Sequence, residues 1–150
     1  MKPILATPHP ILLGTAREVA RGTKCHQLID EMFEAMYAND GMGLAAPQIG
    51  EPLRIIVGHS KTEGWKWTII NPTIKRTRGQ LKTREEGCLS VPGSILNRIK
   101  VKRWSHITVR GYDENWEPIT VSGKYWQAAA LQHELDHLDG LTIKRFAIDE

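Results

Sequence analysis

Residues 124–138 read KYWQAAALQHELDHL, and this stretch decides how the rest of the chain is arranged. Leu131, Leu135 and Leu138 recur at the spacing of one helical face, with Ala128 and Ala130 near them. The pattern predicts a helix over 124–138, and Gly140 just beyond it suits a C-terminal cap. Positions i and i+4 lie one turn apart on the same side of a helix. His133 and His137 therefore face one point, and Glu134 can reach that point without being a ligand. This is the H-E-x-x-H arrangement, in which two imidazoles grip a metal ion and the carboxylate serves as base for its water. The plainer alternative is a surface helix that carries two histidines by chance. The apolar face opposes that alternative, because it buries the helix, and buried imidazoles need a partner.

A catalytic site of this kind needs a third protein ligand and an open position. In endopeptidases that continue the motif through a Gly to a third His, that His would fall at 143, which is Ile. Only residues 138–150 follow His137, so a distant downstream Glu is not expected either. The third ligand is expected upstream, and Cys88, in Glu86-Gly87-Cys88-Leu89-Ser90, is the best candidate. A thiolate is a strong ligand for iron or zinc. A buried structural cysteine is the competing reading of Cys88. Cys25 competes with it for the metal, but lies on the apolar stripe of its own segment and is expected in the core. His26, His59 and His106 show no paired spacing and are expected at the surface.

Working outward, residues 25–38 (CHQLIDEMFEAMYA) form a second predicted helix, with Leu28, Met32 and Met36 on one stripe. Asn39, Asp40 and Gly41 end it. The following GMGLAAPQIG is expected to be a loop. Its G-x-G-x-x-A spacing matches a dinucleotide fingerprint, but it follows a helix and Pro47 interrupts it, so a nucleotide site is not expected. Its glycines instead let backbone approach a ligand, with Gln48 supplying a side-chain amide. Short β-forming segments come at 54–57, 67–70, 107–109 and 119–121, with a hairpin turn at 113–115. Strands with two helices, not in strict alternation, predict an α+β fold.

The 150 residues suit a single domain, 1–150. At 41% hydrophobic and 25% charged, the composition excludes a disordered chain. No apolar run approaches the roughly 20 residues of a membrane helix, and the start lacks a secretory pattern, so a cytoplasmic protein whose cysteines are free thiols or metal ligands is expected. A net charge of +3 is a mild basic bias, compatible with work near ribosomal RNA.

Three segments, GMGLAAPQ (41–48), EGCLS (86–90) and HELDH (133–137), resemble in order and spacing the signature motifs of the peptide deformylases, G-x-G-L-A-A-x-Q, E-G-C-L-S and H-E-x-D-H. The resemblance runs from His9-Pro10 to beyond HELDH. It implies antiparallel β-sheets packed around a central metal-binding α-helix, with an N-terminal helix. It implies a metal-dependent hydrolase that removes the formyl group from N-formylmethionyl nascent peptides and releases formate. By the same resemblance Cys88, His133 and His137 bind one divalent ion, natively Fe²⁺, with Zn²⁺, Ni²⁺ or Co²⁺ able to replace it. Glu134 is then the general base and acid, Gln48 and the backbone N–H of Leu89 stabilise the oxyanion, and Gly43 binds substrate through its backbone. Glu86 is expected to pair with a downstream arginine, for which Arg103 is the candidate. The implied partners are nascent peptides and, transiently, the ribosome, with no membrane and no specific nucleic acid.

The sequence departs from the family pattern in places. Trp126, Ala129 and Ala130 sit where the metal helix should line the methionine pocket, and Arg84 stands where an apolar residue is common. The chain is also expected to lack the C-terminal extension of many bacterial members. Two rival functions remain at this stage. One is an H-E-x-x-H metallopeptidase. The other is a non-enzymatic, metal-stabilised RNA-binding module, supported by the basic runs Lys75–Arg84 and Arg98–Arg103, whose bland reading is a solvated strand face.

Overall fold

The computed structural model describes residues 1–143, the side chains at 80–82 excepted. Positions 144–150, which hold the end of the expected single domain and the expected lack of an extension, lie outside it. In chain order the elements are α1 (Pro10–Leu13), α2 (His26–Ala38), β1 (Gly43–Ala45), a 3₁₀ turn (Ala46–Ile49), β2 (Ile55–Ser60), β3 (Trp65–Glu86), β4 (Ile99–Tyr112), β5 (Pro118–Lys124) and α3 (Trp126–Leu138). The five strands form one antiparallel sheet in sequence order, β1 to β5. The expected α+β class holds, with the sheets hydrogen-bonded as one.

Strand β2 shows how the helices find their places. Its run Ile55-Ile56-Val57 is wholly buried. Ile55 and Val57 join a cluster with Ile29, Met32 and Met36 of α2. Ile56 points the other way, into a cluster with Ala128, Leu131, Leu135 and Leu138 of α3. Period-two alternation therefore puts a helix on each face, and a strand covered on both faces reads as a continuous apolar run. Cys25 is buried in the α2 cluster. Leu28 is only partly buried, and Ile29 takes the centre of the stripe assigned to it.

Two boundaries differ from the sequence reading. Residues 43–45 form an edge strand paired with Ala45↔Ile56 to Gly43↔Gly58, not a loop; three residues are too few to show a period, and β2 supplies the partner. The last helix begins at Trp126, because Lys124 ends β5 and Tyr125 turns the chain at φ 53°. Strand β3 is far longer than the segment 67–70. Register shifts between Ile70 and Thr73, Ile74 and Arg76, and Arg78 and Leu81 add twist along it. The first part pairs with β2 and the rest with β4, which delivers Glu86 beside α3. The end of α3 is held by Ala16 N–H and Arg54 Nη1, both donating to Leu138 O, and by Arg54 with Asp139.

Candidate active site

Helix α3 supplies His133, Glu134 and His137, and the turn after β3 supplies Cys88. That turn is fixed by one hydroxyl. Ser94 Oγ accepts the Cys88 N–H at 2.9 Å and lies 2.8 Å from Val91 O and 3.0 Å from Cys88 O. Cys88 Sγ lies 3.3 Å from His137 Nε2, and one ligand atom each from Cys88, His133 and His137 falls within 4.8 Å of the others. The structure thus brings together the three residues expected to be ligands, and leaves Cys25 in the core.

The residues fit a metal ion on three counts. Sulfur and two nitrogens are the donor set of a borderline-soft divalent ion. Metal–sulfur and metal–nitrogen bonds of about 2.3 and 2.0–2.1 Å in a tetrahedral site set an S···N edge of about 3.6 Å, and the 3.3 Å edge is of that size. At His133 the local field also favours positive charge. Burial works against a proton on His133, yet Glu134, Cys88 and Glu86 together hold its pKa well above the ordinary value. His137 goes the other way, lowered by burial and by its cationic neighbours.

Around the donors stands a second set of contacts. Arg103 grips Glu86 in a bidentate pair, Nε to Oε2 at 3.0 Å and Nη2 to Oε1 at 2.9 Å, and also donates to Asp136. Glu86 Oε1 in turn lies 3.0 Å from His133 Nδ1, which leaves Nε2 to face Cys88. Burial alone would raise the Glu86 carboxyl, but hydrogen bonds from His133 and Arg103 bring it down to about 2. Asp136 was not singled out in the sequence, although it lies one turn from His133 on the same helix. Ser94 gave no sequence signal at all.

Glu134 is 5% exposed, and its Oε1 is buried without a hydrogen-bond partner among the described residues. Burial pushes its carboxyl up to about 7. Strand β1 passes so close that a Cβ on Gly43 would strike the Glu134 carboxylate, so a side chain here would have to displace that carboxylate or the strand. Gln48 is 2% exposed. Its Oε1 accepts Ala45 N–H at 3.0 Å, and its Nε2 lies 3.1 Å from Ser90 Oγ and 3.9 Å from Cys88 Sγ. Among the described residues nothing accepts the Leu89 N–H. Two turns before His133, Trp126 lies under the Arg84 guanidinium at 4.8 Å, with Ala129 and Ala130 between.

A buried carboxylate beside a sulfur–imidazole–imidazole set is the arrangement of a metal-dependent hydrolase. The model of the polypeptide deformylase family matches residues 1–148. A peptide deformylase of Rhodopirellula baltica is 40% identical over 92% of this chain and 69% of its own length. Among solved structures, the deformylase of the Vibrio parahaemolyticus bacteriophage VP16T, in complex with actinonin, superposes with a TM-score of 0.87 at 41% identity, covering 93% of this chain and 98% of that one. The Thermotoga maritima peptide deformylase gives 0.91 at 31% identity and 99% of both chains. The chain belongs to the peptide deformylase family. It is a metal-dependent hydrolase that removes the formyl group from the N-terminus of nascent polypeptides, and the two rival readings are not favoured. No helix among the described residues is long and apolar enough to cross a membrane.

Proposed function

We propose that residues 1–150 act as one catalytic domain in the cytoplasm, in which Cys88, His133 and His137 hold a single ferrous ion. The donor chemistry supports this: one thiolate with two imidazoles suits Fe²⁺, and also Zn²⁺, Ni²⁺ or Co²⁺. When bound, the ion supplies Lewis acidity, lowering the pKa of water toward neutrality and polarising a carbonyl.

The chain's own residues then divide the work. Glu134 takes a proton from the attacking water and gives it to the leaving nitrogen, so that formate and a free methionine amine result. Gln48 Nε2 and Leu89 N–H donate to the oxygen that becomes negative; each such donor is worth about 2.7–4 kcal/mol. Backbone of Gly43 holds the peptide in extended form beside Glu134. Glu86 and Arg103 fix the His133 ring and its tautomer. Ala129, Ala130, Trp126 and Arg84 wall the methionine pocket. The formyl carbon bears only hydrogen, so a crowded centre admits it and rejects ordinary peptide bonds. Work on nascent chains further suits transient association with the ribosome.

The observation that carries this assignment is the buried, unpartnered Glu134 Oε1 next to the Cys88–His133–His137 set. The test is formate release from a formyl-methionyl peptide, run anaerobically with metal analysis. Glu134→Ala is expected to abolish turnover with metal content unchanged. Full activity in that variant excludes Glu134 as the base, and full metal affinity in Cys88→Ser excludes the sulfur as a ligand.

A further inference from the structure

The side of the β3–β4–β5 ribbon that faces away from α3 carries a pattern that deformylation does not use. Arg76, Thr108 and Ser122 form one cross-strand row, and Arg78, His106 and Lys124 the next. Residues directly opposite in an antiparallel ladder share a face. Ile107 and Val109 alternate with these positions and enter the α3 cluster, so the rows point outward. Lys102 and Arg110 lie on the same outward alternation of β4.

Arg76, Arg78, Lys102, Arg110 and Lys124 are all exposed. These five are a quarter of the chain's 20 Lys and Arg residues, and of the carboxylates Glu18 lines a separate cavity with Arg110. Glu85 stands at the far end of the ribbon, opposite Lys100. Neighbouring strands are about 4.8 Å apart and alternate residues about 6.6 Å apart. Arg76 and Arg78 therefore sit within about one Debye length, roughly 8 Å, with Lys124 two strands away at about 9.6 Å, and these three act as one field that Arg110 and Lys102 extend along β4. Arg76, Arg78, His106, Ser122 and Lys124 also line a cavity of about 310 Å³, which Gln127 at the start of α3 borders and no carboxylate lines.

One small anion cannot answer charges spread over three strands, whereas a polyanion can. The choice among polyanions follows from the rings. Trp104, 37% exposed, continues the outward alternation of β4, and Tyr125, 47% exposed, meets His106 edge-on at 5.6 Å. Exposed rings beside cations give bases a stacking surface, and hydroxyls such as Thr108 and Ser122 suit phosphate oxygens. An acidic peptide does not need two exposed rings beside the cations, and Trp104 and Tyr125, set among polar positions, do not make the continuous apolar face that a membrane surface takes.

We propose that this face binds single-stranded RNA through its phosphate backbone, without choice of sequence. It deepens the reading that the enzyme works beside the ribosome, on which it rests for the source of the RNA. The α3 face stays clear, so an RNA-bound enzyme keeps its catalytic centre free.

The test uses the metal-loaded full chain and a labelled oligouridylate. Five contacts predict that log K falls with log salt at a slope of about −3 to −4. In Arg76→Gln/Arg78→Gln/Lys124→Gln the slope should flatten by about 2. Turnover of a formyl-methionyl peptide by that variant should be unchanged, which also shows that it folds. A control, Arg17→Gln/Lys24→Gln/Lys61→Gln, loses the same charge from other elements and should keep the wild-type slope. The proposal is overturned by absence of RNA binding at low salt, by equal loss in the control, or by tighter capture of oligoglutamate or phosphatidylglycerol vesicles than of RNA. RNA binding without co-sedimentation with ribosomes would support the surface and remove the ribosomal reading alone.

Discussion

At the scale of single residues, the proposed centre turns on two carboxylates in opposite environments. Burial pushes the Glu134 carboxyl up to about 7, and its Oε1 has no hydrogen-bond partner among the described residues; Glu86 is also buried, but hydrogen bonds from His133 and Arg103 bring it down to about 2. A base must be deprotonated to act, and a bound cation lowers the Glu134 value further. kcat/KM of the metal-loaded enzyme should therefore fall on the acid side with a midpoint below about 7. A pH profile that rises on acidification contradicts that role. Glu134→Gln, which keeps the shape, should lower kcat by about 10²–10⁴ with little change in metal content. For Glu86 the folded pKa is depressed, so its stabilising contribution is present above about 4.5 and lost as pH falls through about 2. The gap in melting temperature between wild type and Glu86→Gln, both measured with chelator, should narrow over that window. At neutral pH, Glu86→Ala leaves Arg103 buried with one partner fewer and should cost about 3–5 kcal/mol in denaturant titration.

At the scale of elements, the site is a junction of α3, the turn after β3, and β1. Gly43→Ala should drive the β1 backbone or the Glu134 carboxylate aside. Activity is expected to drop at least tenfold while circular dichroism stays native, and a fully active variant would show that the contact relaxes freely. Ser94→Ala removes the acceptor of the Cys88 N–H, costs about 1–3 kcal/mol, and should weaken metal retention in a chelator competition. Helices α2 and α3 were legible in the sequence because their faces repeat every three or four residues, whereas the four residues of α1 are too few to show a period, and helical spacing alone set His133 and His137 together. The meeting of Cys88 with them was less directly legible: thiolate chemistry and the core position of Cys25 made it the best upstream candidate, and the likeness of EGCLS to a family motif strengthened that reading. Strand β1 was not legible, since three residues hold no period. The length of β3 was hidden for a different reason: residues 73–76 are exposed on successive positions, so no alternation survives. Asp136 and Ser94 act through contacts that only folding creates.

At the scale of the molecule, the proposed metal ligands Cys88, His133 and His137 come from parts far apart in the chain. An ion bound to the native state alone stabilises it by mass action. Chelation should therefore lower the melting temperature, and Cys88→Ser should abolish most of that difference. An unchanged melting temperature would mean that the ion adds little to the fold. The two apolar clusters divide at β2, whose successive residues serve opposite sides of the sheet. Adding one amino acid before Ile55 would send Ile55 and Val57 toward α3 and Ile56 toward α2, exchanging the contents of the two interiors at once. Length changes are thus forbidden along this strand, while the exposed tip at 61–64, a few residues on, is where an inserted epitope can be carried without disturbing either interior.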